Sequence, residues 1–245
     1  MTASELIELG TAEPSSITID IAGDAPPIAT PAVTKRWEAM RADKPRLFNG
    51  PVLSYTGYRD GVVSARRDSY QRLAVQEHEP RIVDPPVMQL SVTGIVTALD
   101  EQSTRHVLVG KRSHATRIYG GMWELGPSGG IDAPPLSQRS LDGLDVFRQL
   151  VVEMREETGL PADPDPGPIV AITIDPVATS ADLVMRIDLT RPVDEIVAHT
   201  DRSSEHGWEY ETTRWIECHE FERFIDEAPC IPPTRVLAGL VRSLG

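Results

Sequence analysis

Apolar and polar residues alternate along this chain with two periods, and the change from one to the other marks its elements. Ile17, Ile19 and Ile21 alternate with Thr18 and Asp20, the period of two of a half-buried strand. Residues 47–58 and 61–65 read as a hairpin around Arg59-Asp60-Gly61, because Asp-Gly between β-like runs is a turn signal. Residues 34–42 and 68–76 read as short helices. The Pro-rich stretch 25–31 reads as extended loop. From Met88 the pattern turns β-rich: strands over 89–99 and 106–110, joined by the polar turn 100–105. Leu144, Phe147, Val151 and Met154 then recur at helical spacing, which predicts a helix over 142–158. Asp142 suits its N-cap with Asp145 three residues on, Gly159 suits the left-handed position after its end, and Pro161 prevents continuation. Residues 169–174, 183–189 and 212–217 read as strands, and 193–199, 220–225 and 234–244 as helices. Strands on both sides of a central helix, with helices at the end, predict an α/β fold: an α/β/α sandwich on a mixed β-sheet. Pro85-Pro86 divides it into a β-rich N-terminal extension, 1–87, and a main domain, 88–245.

The central helix carries the candidate chemistry. Glu153, Glu156 and Glu157 fall at i, i+3 and i+4, so they share a face, taken to lie opposite the apolar stripe. Like charges so placed repel by roughly a few tenths of a kcal/mol per pair. A divalent cation among them relieves that repulsion, and hard cations such as Mg²⁺ take oxygen ligands and often carry phosphates. A solvated acidic face is the plainer reading of the Glu156-Glu157 pair alone.

Upstream run Gly110-Lys111-Arg112-Ser113 and Gly120 to Gly130, the latter containing Pro127-Ser128-Gly129-Gly130. With Glu153-Met154-Arg155-Glu156-Glu157-Thr158-Gly159-Leu160, this pattern resembles the Nudix hydrolase family, whose box is G-x5-E-x7-R-E-U-x-E-E-x-G-U with U aliphatic. The resemblance covers residues 88–245. It implies a Nudix-type sandwich and Glu153, Glu156 and Glu157 as ligands of Mg²⁺, or of Mn²⁺ in its place. It implies Glu153 or Glu157 as the ligand that also positions the attacking water, and Gly129 and Gly130 as the loop that meets the substrate. A further carboxylate comes from a later loop in the family. Glu205, Glu209 and Glu211 are the candidates, and Glu209 is taken with Glu153 and Glu157 as the catalytic set.

The chain departs from the box at defined places. Val152 occupies the arginine position, the first box glutamate has no counterpart, and Ala133 to Arg139 form an insert that reads as an extended surface loop. Arg148 and Arg112 are the candidates to replace the missing arginine. A branch of the family that hydrolyses UDP-glucose to UMP and glucose 1-phosphate shares these departures and has an N-terminal extension. Arg46-Leu47-Phe48-Asn49-Gly50 after Trp37, and Asp68-Ser69-Tyr70, are similar to that extension. The resemblance therefore implies a pyrophosphohydrolase of a nucleoside diphosphate sugar, UDP-glucose or UDP-galactose. A second reading is a Nudix pyrophosphatase for ADP-ribose or a dinucleotide. A third is a non-catalytic module that binds nucleotide or protein.

Composition narrows the partners. The 245 residues carry a net charge of -13, which opposes general binding to nucleic acid or to an anionic membrane surface. A small phosphorylated substrate remains compatible where Mg²⁺ and a few arginines neutralise it. Lys111 and Arg112 follow a strand and are placed to meet a diphosphate, the arginine through its planar fork. Tyr70 is taken as a substrate-binding aromatic, with Phe48 and Tyr119 as further candidates, although only 5% of residues are aromatic and most are needed in the core. Trp123 and Trp215 are expected there, and His206 is the one histidine in an acidic loop. The two cysteines, Cys218 and Cys230, suggest free thiols in a reducing cytoplasm. No apolar run approaches a membrane span, and residues 1–10 lack the features of a signal peptide. The oligomeric state is not legible.

Overall fold

The computed structural model describes residues 3–23, 25–160, 164–200 and 209–245, with 198–200 as backbone only. Its elements are β1 (Glu5–Ala12), β2 (Thr18–Ala22), α1 (Pro31–Asp43), β3 (Pro51–Arg59), β4 (Val62–Ser69), α2 (Tyr70–His78), β5 (Gln89–Leu99), β6 (Arg105–Arg112), β7 (Trp123–Leu125), β8 (Ser128–Gly130) and β9 (Ser140–Asp142). After these come α3 (Gly143–Thr158), β10 (Ile169–Asp175), β11 (Ser180–Asp188), α4 (Val193–Thr200), β12 (Tyr210–Glu217), α5 (Phe221–Glu227), α6 (Pro232–Val236) and α7 (Ala238–Arg242).

β5 is the hub of the mixed sheet. It runs parallel to β11 from Gln89 opposite Ser180 to Thr97 opposite Asp188. It is antiparallel to β8 over residues 91–93 and to β6 over 97–99. β10 and then β1 extend the sheet beyond β11. β12 adds to the far side of β6. The β3–β4 hairpin joins at Ser54, opposite Gln89, and continues through β2 to β9. Asp60 and Gly61 both take positive φ (49° and 83°), the backbone of a type I′ hairpin turn.

Alternation along the central strands assigns the two faces. Leu90, Val92 and Val96 of β5, with Leu183, Met185 and Ile187 of β11, pack in one cluster with Val146, Leu150 and Met154 of α3. Ile95 and Val184 face the other way and pack with Phe221, Ile225, Leu237 and Val241 of the C-terminal helices. Helices thus lie on both faces, as the sequence pattern predicts. A third cluster, with Val33, Trp37, Leu73, Val75, Val83 and Val87, lies wholly within the N-terminal 87 residues.

Two expectations need correction, and two features were not foreseen. Residues 5–12 form a strand that the alternation did not single out, and it pairs antiparallel with β10. The helix expected over 234–244 is two short helices separated at Leu237 (φ -85°, ψ -4°), because Thr234 is fixed by the amide of Leu125 while Leu237 and Val241 turn into the core. The insert is not simply an extended loop: Arg67, 4% exposed, donates to the carbonyls of Pro134 (2.5 Å), Pro135 (2.9 Å) and Gln138 (2.8 Å). Arg139 reaches the Gly23 carbonyl at 2.6 Å, and β9 closes the insert against β2. Trp123 is a core residue, but Trp215 is only partly buried at a cluster edge.

Candidate active site

α3 is built as its sequence requires. The Asp142 carboxylate accepts from the amides of Leu144 and Asp145, Asp145 returns the bond to the Asp142 amide, and Gly159 ends the helix with φ 65°. Its buried row is Val146, Leu150, Met154 and Glu157, while Leu144, Phe147 and Val151 are only half-buried. The glutamates therefore do not lie opposite the apolar stripe. At 100° per residue, Glu157 falls within the face turned to the sheet and the half-buried Glu153 at its edge, each about 20° from Val146. Glu156 lies at the rim and is exposed, as is Val152.

The sheet offers these carboxylates polar company. The Ser128 amide donates to Glu157 Oε2 at 3.1 Å, while Glu157 Oε1 is buried with no hydrogen-bond partner among the described residues. Glu209, at the entrance to β12, comes within hydrogen-bonding reach of Glu157. Burial first, then Glu209 and Glu124, hold the Glu157 carboxyl well above the usual carboxylate range. Glu153 accepts from Gln149 Nε2 at 2.7 Å, and its pKa is pushed up to about 7, chiefly by burial and also by Glu209, Glu156 and Asp132. Gly129 is the contact beneath it: a Cβ there would stand 2.2 Å from Glu153 Cδ.

A second buried carboxylate faces this pair. Glu124, on β7, is 2% exposed and receives Arg112 Nη1 at 2.6 Å. Tyr210 packs its ring where Cβ atoms on Gly110 and Gly126 would clash, at 2.6 and 2.1 Å. Its hydroxyl is buried beside Glu124, and its ionisation is opposed by burial and then by Glu124 and Glu157. Beside these groups opens a cleft lined by Glu124, Ser128, Gly129, Gly130, Arg112 and Glu209, with Gln89, Ser91, Thr93 and Asp182 along its floor.

Of the residues expected at the site, Glu153, Glu157, Glu209, Arg112, Gly129 and Gly130 are brought together. Lys111 is not among them; it pairs with Glu211 at 3.2 Å, outside the cleft lining. Tyr70 stands edge-on to Trp37 at 6.2 Å and lines a neighbouring groove with Phe48, Lys44 and Arg46. Tyr119 lines the cleft, with its hydroxyl donated to Asp175 at 2.7 Å. Arg148 does not replace the missing arginine: its guanidinium is exposed and bound to Asp145 at 2.6 Å, one turn back. Glu205 and His206 lie outside the described residues. Among the described residues, no three His, Cys, Asp or Glu side chains stand in an arrangement that could hold a metal ion. The donor chemistry nevertheless suits a hard divalent cation, since the buried Glu157 Oε1 lacks a donor and faces further carboxylate oxygens.

No family model matches the chain, and no curated protein matches it in sequence. Its structure is similar to that of a Nudix hydrolase from M. smegmatis, RenU, with 17% identity, 64% of this chain and 85% of that one covered, and a TM-score of 0.42. It is also similar to DR0079 from Deinococcus radiodurans (16% identity, 78% and 97% covered, TM-score 0.43). The NUDIX domain of Shewanella oneidensis NrtR, complexed with ADP ribose, gives 15% identity, 70% and 97% covered, and a TM-score of 0.38.

Sequence reasoning missed Glu124, Tyr210, Asp175 and Asp182 as neighbours of the site. Two left a legible signal. Glu124 stands between Trp123 and Leu125, and Asp182 between Ala181 and Leu183, so each is a lone acid in an apolar strand. A buried carboxylate costs several kcal/mol unless partners or a cation compensate it, so such positions point to a site. Tyr210 and Asp175 left no such signal.

Proposed function

We propose that this chain is a divalent-metal-dependent pyrophosphohydrolase of nucleoside diphosphate derivatives, with a UDP-sugar such as UDP-glucose or UDP-galactose as substrate. One observation carries the reading. Glu157 and Glu209 are held against each other with an unpartnered carboxylate oxygen, beside Glu153 and over the Ser128–Gly130 strand. Carboxylates packed in this way are stable as anions only with positive charge among them. Glu153, Glu157 and Glu209 would hold Mg²⁺ once their side chains converge on it, with Glu156 at the rim. The ion would supply charge neutralisation on the phosphoanhydride and a more acidic bound water. Among the protein's own groups, Glu153 or Glu157 would also position the attacking water. Gly129 and Gly130 let the backbone approach the substrate. Arg112, bonded to Glu124, places a guanidinium at the cleft wall. Tyr70 and Phe48 line the adjoining groove and form the surface on which a base would stack.

The division into an extension (1–87) and a catalytic unit (88–245) belongs to the same proposal and is supported by the separate cluster around Trp37 and Leu73. A reducing compartment also belongs to it, supported by the two buried, unpaired cysteines. No helix among the described residues is long and apolar enough to cross a membrane.

The non-catalytic reading has one observation of its own: the exposed Val152 leaves α3 without the arginine that would orient its glutamates. The deciding experiment is Mg²⁺-dependent release of UMP from UDP-glucose, run beside ADP-ribose and a dinucleotide, with Glu157→Gln as control. UMP release from UDP-glucose that disappears in the variant is the expected result. Turnover of ADP-ribose alone replaces the substrate. Nucleotide binding without any turnover supports the non-catalytic module.

A further inference from the structure

The cleft floor is polar where a sheet centre is ordinarily apolar. Gln89, Ser91 and Thr93 alternate on one face of β5, opposite the face that packs on α3. Ser180 stands beside Gln89 and Asp182 beside Ser91 on β11, while Gly130 lies opposite Ser91 on β8. Three neighbouring strands thus present hydrogen-bonding groups, or no side chain at all, to one space. The C-terminal helices cover Ile95 and Val184 on this face, and only Ile231 and Pro233 reach the cleft wall.

These groups are not a satisfied polar core. Ser91 is 6% exposed, and among the described residues neither its hydroxyl nor the Gln89 amide makes a side-chain hydrogen bond. Both groups line the cleft and are not among the buried atoms left without a partner, so they are open to an arriving hydroxyl. Asp182 is 8% exposed and has no cationic partner among the described residues; its oxygens accept the hydroxyls of Ser180 (2.9 Å) and Thr93 (3.4 Å). Asp175, 1% exposed, lines the same end and accepts the Tyr119 hydroxyl.

We infer that this floor is a subsite for the hydroxyl groups of a sugar, with Ser91, Gln89 and Asp182 as the residues that select it. Asp182 and Asp175 disfavour a phosphate at this end, so the phosphates are assigned to the Gly129 end, where Arg112 and the proposed cation would meet them. Asp182 already binds hydroxyl donors and has the acceptor geometry that neighbouring sugar hydroxyls require. The base is assigned to the neighbouring groove, which Tyr70 and Phe48 line. The subsite rests on the proposed hydrolysis only in its orientation, since it predicts sugar binding in either case.

The test compares kcat/KM for UDP-glucose with that for a UDP alkyl ester lacking sugar hydroxyls, in the wild type, Ser91→Ala and Asp182→Asn. The wild type should prefer the sugar by about tenfold or more, a preference that hydrogen-bonding sites readily produce, and both variants should largely lose it. Equal turnover of the two compounds by the wild type overturns the subsite, as does an unchanged preference in both variants. So does a change confined to discrimination between UDP- and ADP-glucose, which would place the base on this floor. If the wild type hydrolyses neither compound, the hydrolase reading fails separately. Calorimetric binding of the same two compounds then decides the subsite: tighter binding of UDP-glucose that Ser91→Ala removes upholds it, and equal binding overturns it.

Discussion

Gly129 has no room for a side chain, since an added Cβ would overlap the Glu153 carboxyl carbon. Gly129→Ala should therefore displace that carboxylate and lower kcat/KM by about tenfold or more, equivalent to roughly 1.4 kcal/mol. Circular dichroism should show the fold intact; unimpaired turnover would mean that Glu153 does not act from this position. The two arginines weighed as replacements for the one at Val152 now separate. Arg148→Ala should leave the rate unchanged, because its guanidinium is occupied by Asp145 in solvent. Arg112→Met should reduce both stability and rate, because it strips the cation from the buried Glu124. Equal rates for these two variants would show that Arg112 has no part in ordering the site. At this scale the sequence was partly legible. The helix-borne glutamates and the glycines were readable, while Tyr210 and Asp175 were not, because their roles come from neighbours distant in sequence.

The central helix shows why an element can be read correctly and oriented wrongly. Its ends follow from Asp142, Asp145 and Gly159, which act locally. Its buried row does not follow from the most apolar stripe, since Val146, Leu150, Met154 and Glu157 face the sheet while Leu144 and Val151 are half-buried. The backbone of β8, with Gly129 and the Ser128 amide, accepts a carboxylate where a larger apolar side chain would clash. The insert gives the second lesson at this scale. Its proline content argues for extension, yet Arg67 binds three of its carbonyls from a strand far away in sequence. Arg67→Ala should destabilise the protein by about 2–4 kcal/mol, because hydrogen bonds to a charged donor are worth roughly 1.5–3 kcal/mol each and are not additive. Urea denaturation measures this, and limited proteolysis should show new cleavage within 133–139. A loss below about 0.5 kcal/mol would mean that the insert holds its place without Arg67.

Across the whole molecule, burial raises the pKa values of several carboxyls, among them Glu157, Glu153 to about 7 and Asp182 to about 6. Their folded-state values exceed the unfolded ones, so the folded state binds more protons through this range and stability falls as pH rises. For Asp182 the penalty develops between about pH 4 and pH 6 and reaches at most roughly 3 kcal/mol. In EDTA, Tm should decline between about pH 5 and about pH 7.5, and Mg²⁺ should flatten the decline by favouring the ionised carboxylates. Scanning calorimetry across that range decides the matter; a Tm that rises in EDTA, or a slope indifferent to Mg²⁺, would refute the metal reading.

The sequence by itself determined what depends on near neighbours. Periodicity fixed the main strands and α3, the Asp-Gly pair fixed the β3–β4 turn, and the caps fixed where α3 begins and ends. The spacing of Glu153, Glu156 and Glu157 placed three acids on one helix. Only the tertiary structure decided which of them is buried, because that depends on what the sheet presents. It seated Glu209 rather than Glu211 against Glu157, turned Lys111 away, and assembled a polar floor from three strands. Contacts between residues distant along the chain leave no periodic trace in the sequence, and the cleft is made of such contacts.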